Sequence, residues 1–125
     1  MFSTLLQVAL GGAIGASGRY LAGVAAVRII GHGFPWATLA VNIAGSFLMG
    51  VLVVMLAHLG GTRAAPFLMT GILGGFTTFS AFSLDAITLY ERGQIGLAGA
   101  YVAGSVVLSL AAIVLGLLAT RAVFA

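Results

Sequence analysis

Gly71-Ile72-Leu73-Gly74-Gly75-Phe76-Thr77-Thr78-Phe79-Ser80-Ala81-Phe82-Ser83 lies in the middle of an apolar run over residues 64–90. A run of that length can cross a membrane, since an α-helix needs about 20 residues to span about 30 Å of hydrocarbon. The centre of the run is a poor helix former. Gly74 and Gly75 cost backbone entropy, and the β-branched Thr77 and Thr78 lose rotamer freedom against the preceding turn. The pattern predicts a span whose helix is broken near mid-membrane. Such a break survives only where its freed N–H and C=O groups are buried in protein or line a cavity. Freed carbonyls suit a small hard cation such as Na⁺ or K⁺, and N–H groups and hydroxyls suit an anion. A close-packing glycine pair in a merely curved helix would leave the same letters.

Three more apolar runs flank this one, over residues 5–30, 36–59 and 95–120. The joints are short, at 31–35, 60–63 and 91–94, so neighbouring spans must run antiparallel. The expectation is an all-α membrane protein of four transmembrane helices forming one domain over residues 1–125. The first residues lack a basic run, so residue 5 onward reads as the first span rather than a cleavable leader.

Composition excludes the alternatives. Of 125 residues, 62% are hydrophobic and 6% charged, with five arginines, two acids and no lysine. A soluble domain carries about 25% charged residues, and a small globule has a large surface to keep wet. The 19 glycines suit close helix approach in a membrane. The net charge of +3 forms no basic patch, because Arg19, Arg28, Arg63, Arg92 and Arg121 are scattered, so no nucleic-acid partner is expected. With no cysteine, no paired carboxylates, no phosphate loop and no nucleophile set, there is no enzyme apparatus.

Orientation follows the arginine balance. Arg63 and Arg121 fall on one side, and Arg28 and Arg92 on the other. Two against two gives no strong instruction, which fits dual insertion and an antiparallel homodimer; it fits equally a single orientation fixed by folding or by a partner.

Polar residues within the spans must face protein or water. Thr38, Asn42 and Ser46 recur at i, i+4, i+8, as do Tyr101, Ser105 and Ser109, so each set forms a stripe on one helix face. Helix glue is the bland role for a hydroxyl. Asn42 has two donors and an acceptor to satisfy and so needs a partner or ligand. Phe79 and Phe82 share a face beside the break, either as packing or as ring edges whose partial positive charge can meet an anion. Arg19, costing about 2.5–3.5 kcal/mol if central, must face an aqueous vestibule or a partner. Asp85, His32 and His58 lie toward span ends and read as interfacial.

These residues resemble the CrcB/Fluc fluoride channels over essentially the whole chain. The shared motifs are Gly15-Ala16-Ser17-Gly18-Arg19-Tyr20, residues 38–47 as Thr-Leu-Ala-Val-Asn-Ile-Ala-Gly-Ser-Phe, and Gly74-Gly75-Phe76-Thr77-Thr78-Phe79-Ser80-Ala81-Phe82, followed by the Tyr101, Ser105, Ser109 ladder. The resemblance implies an antiparallel dual-topology homodimer in the cytoplasmic membrane. It also implies two pores for passive fluoride export against fluoride toxicity, and a structural Na⁺ at the dimer centre. Gly74 and Thr77 would give backbone carbonyls to Na⁺. Phe79 and Phe82 would present ring edges to fluoride, and Asn42 would donate its amide. Thr38, Ser80, Ser83, Tyr101, Ser105 and Ser109 would form a polar track, and Arg19 a vestibule. Ala81 departs from the family pattern, which commonly has Thr there, and Asp85 stands where similar proteins more often have Glu. A small multidrug exporter of similar size would need a carboxylate in its first span, where this chain has Arg19; an assembly subunit would use the stripes only to bind helices.

Overall fold

The computed structural model describes residues 1–125, and they form helices and short joints without a strand. Helix α1 covers Phe2–Ile29 and α2 covers Trp36–Leu59. A single 3₁₀ turn, Thr62–Ala64, leads into α3, in which the wide π-helical stretch Pro66–Leu73 is continued by the α turn Gly74–Phe76. Helix α4 covers Phe79–Glu91 and α5 covers Ile95–Val123. Three segments are long and apolar enough to cross a membrane: Trp36–Leu59, Thr62–Glu91 and Ile95–Val123. With 28 residues, α1 is a fourth helix of spanning length, less apolar because of its glycines and Arg19.

The chain turns where the sequence supplies glycine or proline. Gly60 closes α2 with φ 69°, the left-handed conformation that glycine adopts without steric cost. Pro66 opens α3 at a position where a missing N–H costs nothing.

Glycines set the packing. Helix α1 lies along α3 with Gly11 and Gly15 facing Gly71 and Gly75. A Cβ on Gly75 would sit 2.7 Å from the Gly12 carbonyl oxygen, and one on Gly71 would sit 2.9 Å from the Gly11 Cα. Helix α2 lies along α5 in the same manner, with Gly50 against the backbone of Ile113 and Leu117, and Gly116 against that of Phe47. Helix α4 leans on α5 through Phe82, Ala86, Leu89, Ala98 and Tyr101, capped by Phe34 and Leu39.

Backbone-to-backbone approach of this kind leaves no side chain free to swing aside. A Cβ on Gly15 would overlap the Ile72 carbonyl oxygen and lie 2.8 Å from the Phe76 N. Gly15→Ala gains about 1 kcal/mol of helix propensity and loses about 1–3 kcal/mol to overpacking. The expected net is destabilisation, read as a lower unfolding midpoint in detergent or lipid; an unchanged or raised midpoint would contradict this close approach.

Only 17 of the 125 residues are buried, while apolar side chains along every helix stay exposed. Four helices with so little interior cannot enclose a pore by themselves. Their outer faces are suited to lipid and to another protein surface.

Candidate functional site

The helix interruption falls at Thr77 and Thr78, which take extended backbone (φ −86°, ψ 154° and φ −152°, ψ 123°). Gly74 and Gly75 themselves remain helical, and Gly75 serves as a contact point for α1. The two letters of the glycine pair therefore contribute close packing, and the β-branched pair contributes the break. Neither α3 nor α4 reaches about 30 Å alone; both lie within the segment Thr62–Glu91, which is long and apolar enough to cross a membrane.

Freed backbone groups at the break are met by side chains. Asn42, from α2, accepts from the Thr78 N–H at 2.8 Å and donates through Nδ2 to the Thr78 carbonyl at 3.0 Å. One amide thus closes both groups of a single extended residue and keeps one Nδ2–H in reserve. Thr78 Oγ1 accepts from the Ala81 N–H at 3.1 Å and so caps α4. It also lies 3.2 Å from Ser80 Oγ. Thr77 donates from both N and Oγ1 to the Leu73 carbonyl, at 3.0 and 2.8 Å. Arg19 reaches from α1 and donates through Nε to the Gly75 carbonyl at 3.2 Å.

An open groove of about 400 Å³ runs from the break between α2 and α5. Asn42, Gly45 and Ser46 line one side, Ser105 and Ser109 the other, and Phe79 and Phe82 the mouth of α4. The two phenylalanine rings lie 5.4 Å apart at 51°. Phe82 is 8% exposed and held by the Tyr101 ring at 5.2 Å, whereas Phe79 is 78% exposed. Ser105 Oγ is buried with no hydrogen-bond partner in the chain. A buried hydroxyl normally has a partner, and this one has none within the chain. None of the groove's lining residues is charged.

On the far side of Asn42 and Thr78 a second opening is lined by Arg19, Arg28, Tyr20, Thr38, Thr78 and Ala81, among others, with no acidic residue. Thr78 belongs to both openings. Two arginines without a counter-carboxylate make this mouth electropositive. Ala81, where the family pattern commonly has Thr, lies in this mouth and not in the groove.

Three residues of the expected polar track line neither opening: Ser80, exposed and next to Thr78 Oγ1, Tyr101 and Ser83. Tyr101 is 1% exposed and sits in the α4–α5 core, where its hydroxyl donates to Asp85 Oδ2 at 3.2 Å. Ser83 faces partly outward and returns its hydroxyl to the Phe79 carbonyl at 3.0 Å. The Tyr101 pairing gives Asp85 an inward role beyond the interface. The signal was present: Phe82, Ala86 and Leu89 share one buried face of α4, and Asp85 lies at its edge. Ser46 joins the groove as the end of the Thr38 stripe.

The Thr77 carbonyl accepts no hydrogen bond within the chain, and the Gly74 carbonyl accepts none from a side chain or from the backbone outside the helices. Gly75, between them, gives its oxygen to Arg19. Uncommitted hard oxygens of this kind fit an alkali cation, and no cluster of acidic or histidine side chains offers a different metal site. One chain supplies two such oxygens, too few to replace a hydration shell, so the donor set fits Na⁺ only if a second copy completes it.

The chain matches, over residues 6–117, a family described as CrcB-like protein, Camphor Resistance (CrcB). It is 69% identical over 121 residues to a fluoride-specific ion channel FluC of Cereibacter sphaeroides, covering 97% of each chain. It is 59% identical over 125 residues to the protein of that name in Paracoccus denitrificans, covering 100% of both. A third relative of that name, from a Ruegeria species, is 60% identical over 124 residues, with 98% of each chain covered. Such likeness from end to end, on a chain whose helices are built to cross a membrane several times, shows that this multi-pass membrane protein belongs to the CrcB family.

Proposed function

We propose that this protein is a fluoride-selective channel, working as an antiparallel dual-topology homodimer with two pores in the cytoplasmic membrane. The observation that carries this reading is the uncharged donor groove. The orphan Ser105 hydroxyl, the reserve Nδ2–H of Asn42 and two aromatic edges converge on one path. Fluoride is small and strongly hydrated, so a selective path must replace its water with closely spaced donors. Hydroxyls, an amide and positive ring edges do this without a full charge that would trap the ion. The relatives named as fluoride-specific channels support the same substrate.

Arg19 and Arg28 gather fluoride in the mouth, and Asn42 and Thr78 form the step between mouth and groove. Beyond it the ion meets Phe79 and Phe82 and then the serine side of α5. Thr38 extends the polar lining at the mouth end; Ser80, Ser83 and Tyr101 act behind it, through Thr78 Oγ1, the Phe79 carbonyl and Asp85 respectively. No carboxylate pair or nucleotide site couples this movement to another energy source, so flux follows the fluoride gradient and leaves the cell when fluoride is higher inside.

Incompleteness supports the dimer. The groove lacks a wall where Phe79 projects, and a two-fold related copy supplies it twice over, giving two equal pores. Helices balanced two arginines against two suit antiparallel pairing. Gly74 and Thr77 from both copies would present four carbonyls to a structural Na⁺.

Efflux from liposomes tests the function. Purified protein should release internal fluoride rapidly and chloride negligibly, without ATP or a proton gradient. Equal release of both anions, or release that requires a proton gradient, would overturn it.

A further inference from the structure

Gly45 lies in α2, one turn beyond Asn42, and is buried against the break. A Cβ built there would overlap the Thr77 methyl carbon, Cγ2, and would lie 3.5 Å from the Phe76 ring. The bare Cα of Gly45 is therefore the seat into which the Thr77 methyl inserts. The same side chain is fixed from its other branch, because Thr77 Oγ1 donates to the Leu73 carbonyl at 2.8 Å. A β-branched residue has both branches on one carbon, so seat and hydrogen bond together define a single χ1 rotamer.

Thr77 is also where the backbone turns extended, and its carbonyl is uncommitted within the chain. From this juxtaposition we infer that Gly45 is a positioning residue for the cation site, setting the direction of the Thr77 carbonyl through the methyl it accommodates. The inference rests on the Na⁺ reading given above. In Gly45→Ala, Thr77 has two responses. It rotates about χ1, which breaks the bond to Leu73, or it shifts its backbone, which moves the carbonyl itself. The first removes one of the two bonds that hold Thr77 to Leu73 and so loosens the residue that carries the oxygen, and the second re-aims the oxygen itself. Asn42 continues to hold Thr78 in both cases, so the disturbance falls on the cation site before it reaches the groove.

The remedy is equally specific. Thr77→Ser deletes the methyl that collides and keeps both the hydroxyl and the carbonyl. The added methyl of Gly45→Ala should therefore fit when Thr77→Ser accompanies it and should not fit alone.

The experiment is a sodium titration of dimer assembly, with N-methylglucamine as the replacing cation, on the full-length wild type, Gly45→Ala and the Gly45→Ala/Thr77→Ser double variant. Assembly is read by cross-linking, independently of fluoride flux. The wild type should assemble in a sodium-dependent way. Gly45→Ala should need about ten- to a hundredfold more sodium, the usual penalty for disturbing a group that orients a metal ligand, and the double variant should return most of the way. If Gly45→Ala assembles at no sodium concentration, restoration of assembly by Thr77→Ser supports the inference and failure to restore it overturns it. An unshifted titration in Gly45→Ala, or a shift that Thr77→Ser does not reverse, overturns the inference while leaving the sodium site standing. A wild type indifferent to sodium overturns the sodium site, and the inference with it.

Discussion

Phe79→Ile is expected to lower fluoride flux at least tenfold while leaving the fold intact. The ring is 78% exposed in the single chain and carries no part of the core, so its removal costs little stability. On the proposed path, what is lost is an aromatic edge facing a dehydrated anion. A contact to a charged group is worth about 1.5–3 kcal/mol, which is about ten- to a hundredfold in rate. Isoleucine keeps bulk at the constriction and so separates electrostatics from plugging. Phe82→Ile should lower flux similarly and also lower the unfolding midpoint, because Phe82 is buried against Tyr101. Flux in liposomes and thermal unfolding of the same preparations check both. Unchanged flux in both variants would remove the phenylalanines from the pore.

Asn42 should be the least replaceable side chain. In Asn42→Ala the partly buried Thr78 N–H and carbonyl lose their partner together, at up to about 1–3 kcal/mol for each. The expected result is a poorly folded protein with little flux. Asn42→Asp distinguishes the two duties of the amide. Its carboxylate still accepts from the Thr78 N–H, so part of the break survives. It no longer donates, and it places a negative charge beside the fluoride path. Like charges about 4 Å apart repel by about 4 kcal/mol at an effective dielectric near 20, enough to reduce anion flux about a thousandfold. Flux that falls much further than stability in Asn42→Asp supports the dual duty; flux near wild type would refute it.

These expectations show what the letters can carry. Long apolar runs and their Gly/Pro joints announce helices because a membrane imposes length and removes alternatives. The interruption near residues 74–78 was legible from weak helix formers in a place where helices are compulsory. Which pair did what was not legible. Gly75 is helical and touches α1, and Thr77 with Thr78 opens the chain, a division decided by what lies across from each residue. Asn42 announced that it needed a partner, yet its pairing with Thr78 joins residues 36 apart and no local pattern encodes such a distance. Asp85 was hidden for the same reason, since its partner Tyr101 is on another helix. The exposed Phe79 ring and the orphan Ser105 hydroxyl likewise have no mark in the local pattern.

Resemblance and geometry bear on different parts of the function. End-to-end likeness to relatives named as fluoride-specific channels speaks to the ion. The orphan hydroxyl at Ser105, the carbonyls at Gly74 and Thr77 and the arginine-lined mouth speak to how this chain could handle it.

Current through the purified protein in a planar bilayer is the most direct test of passive, fluoride-selective conduction. With a fluoride gradient across the membrane, equal chloride on both sides and equal pH, the reversal potential should sit at the equilibrium potential of fluoride and should not move when chloride is added. A reversal potential that follows chloride or the cation, or transport that appears only with a proton gradient, would contradict a passive fluoride pore.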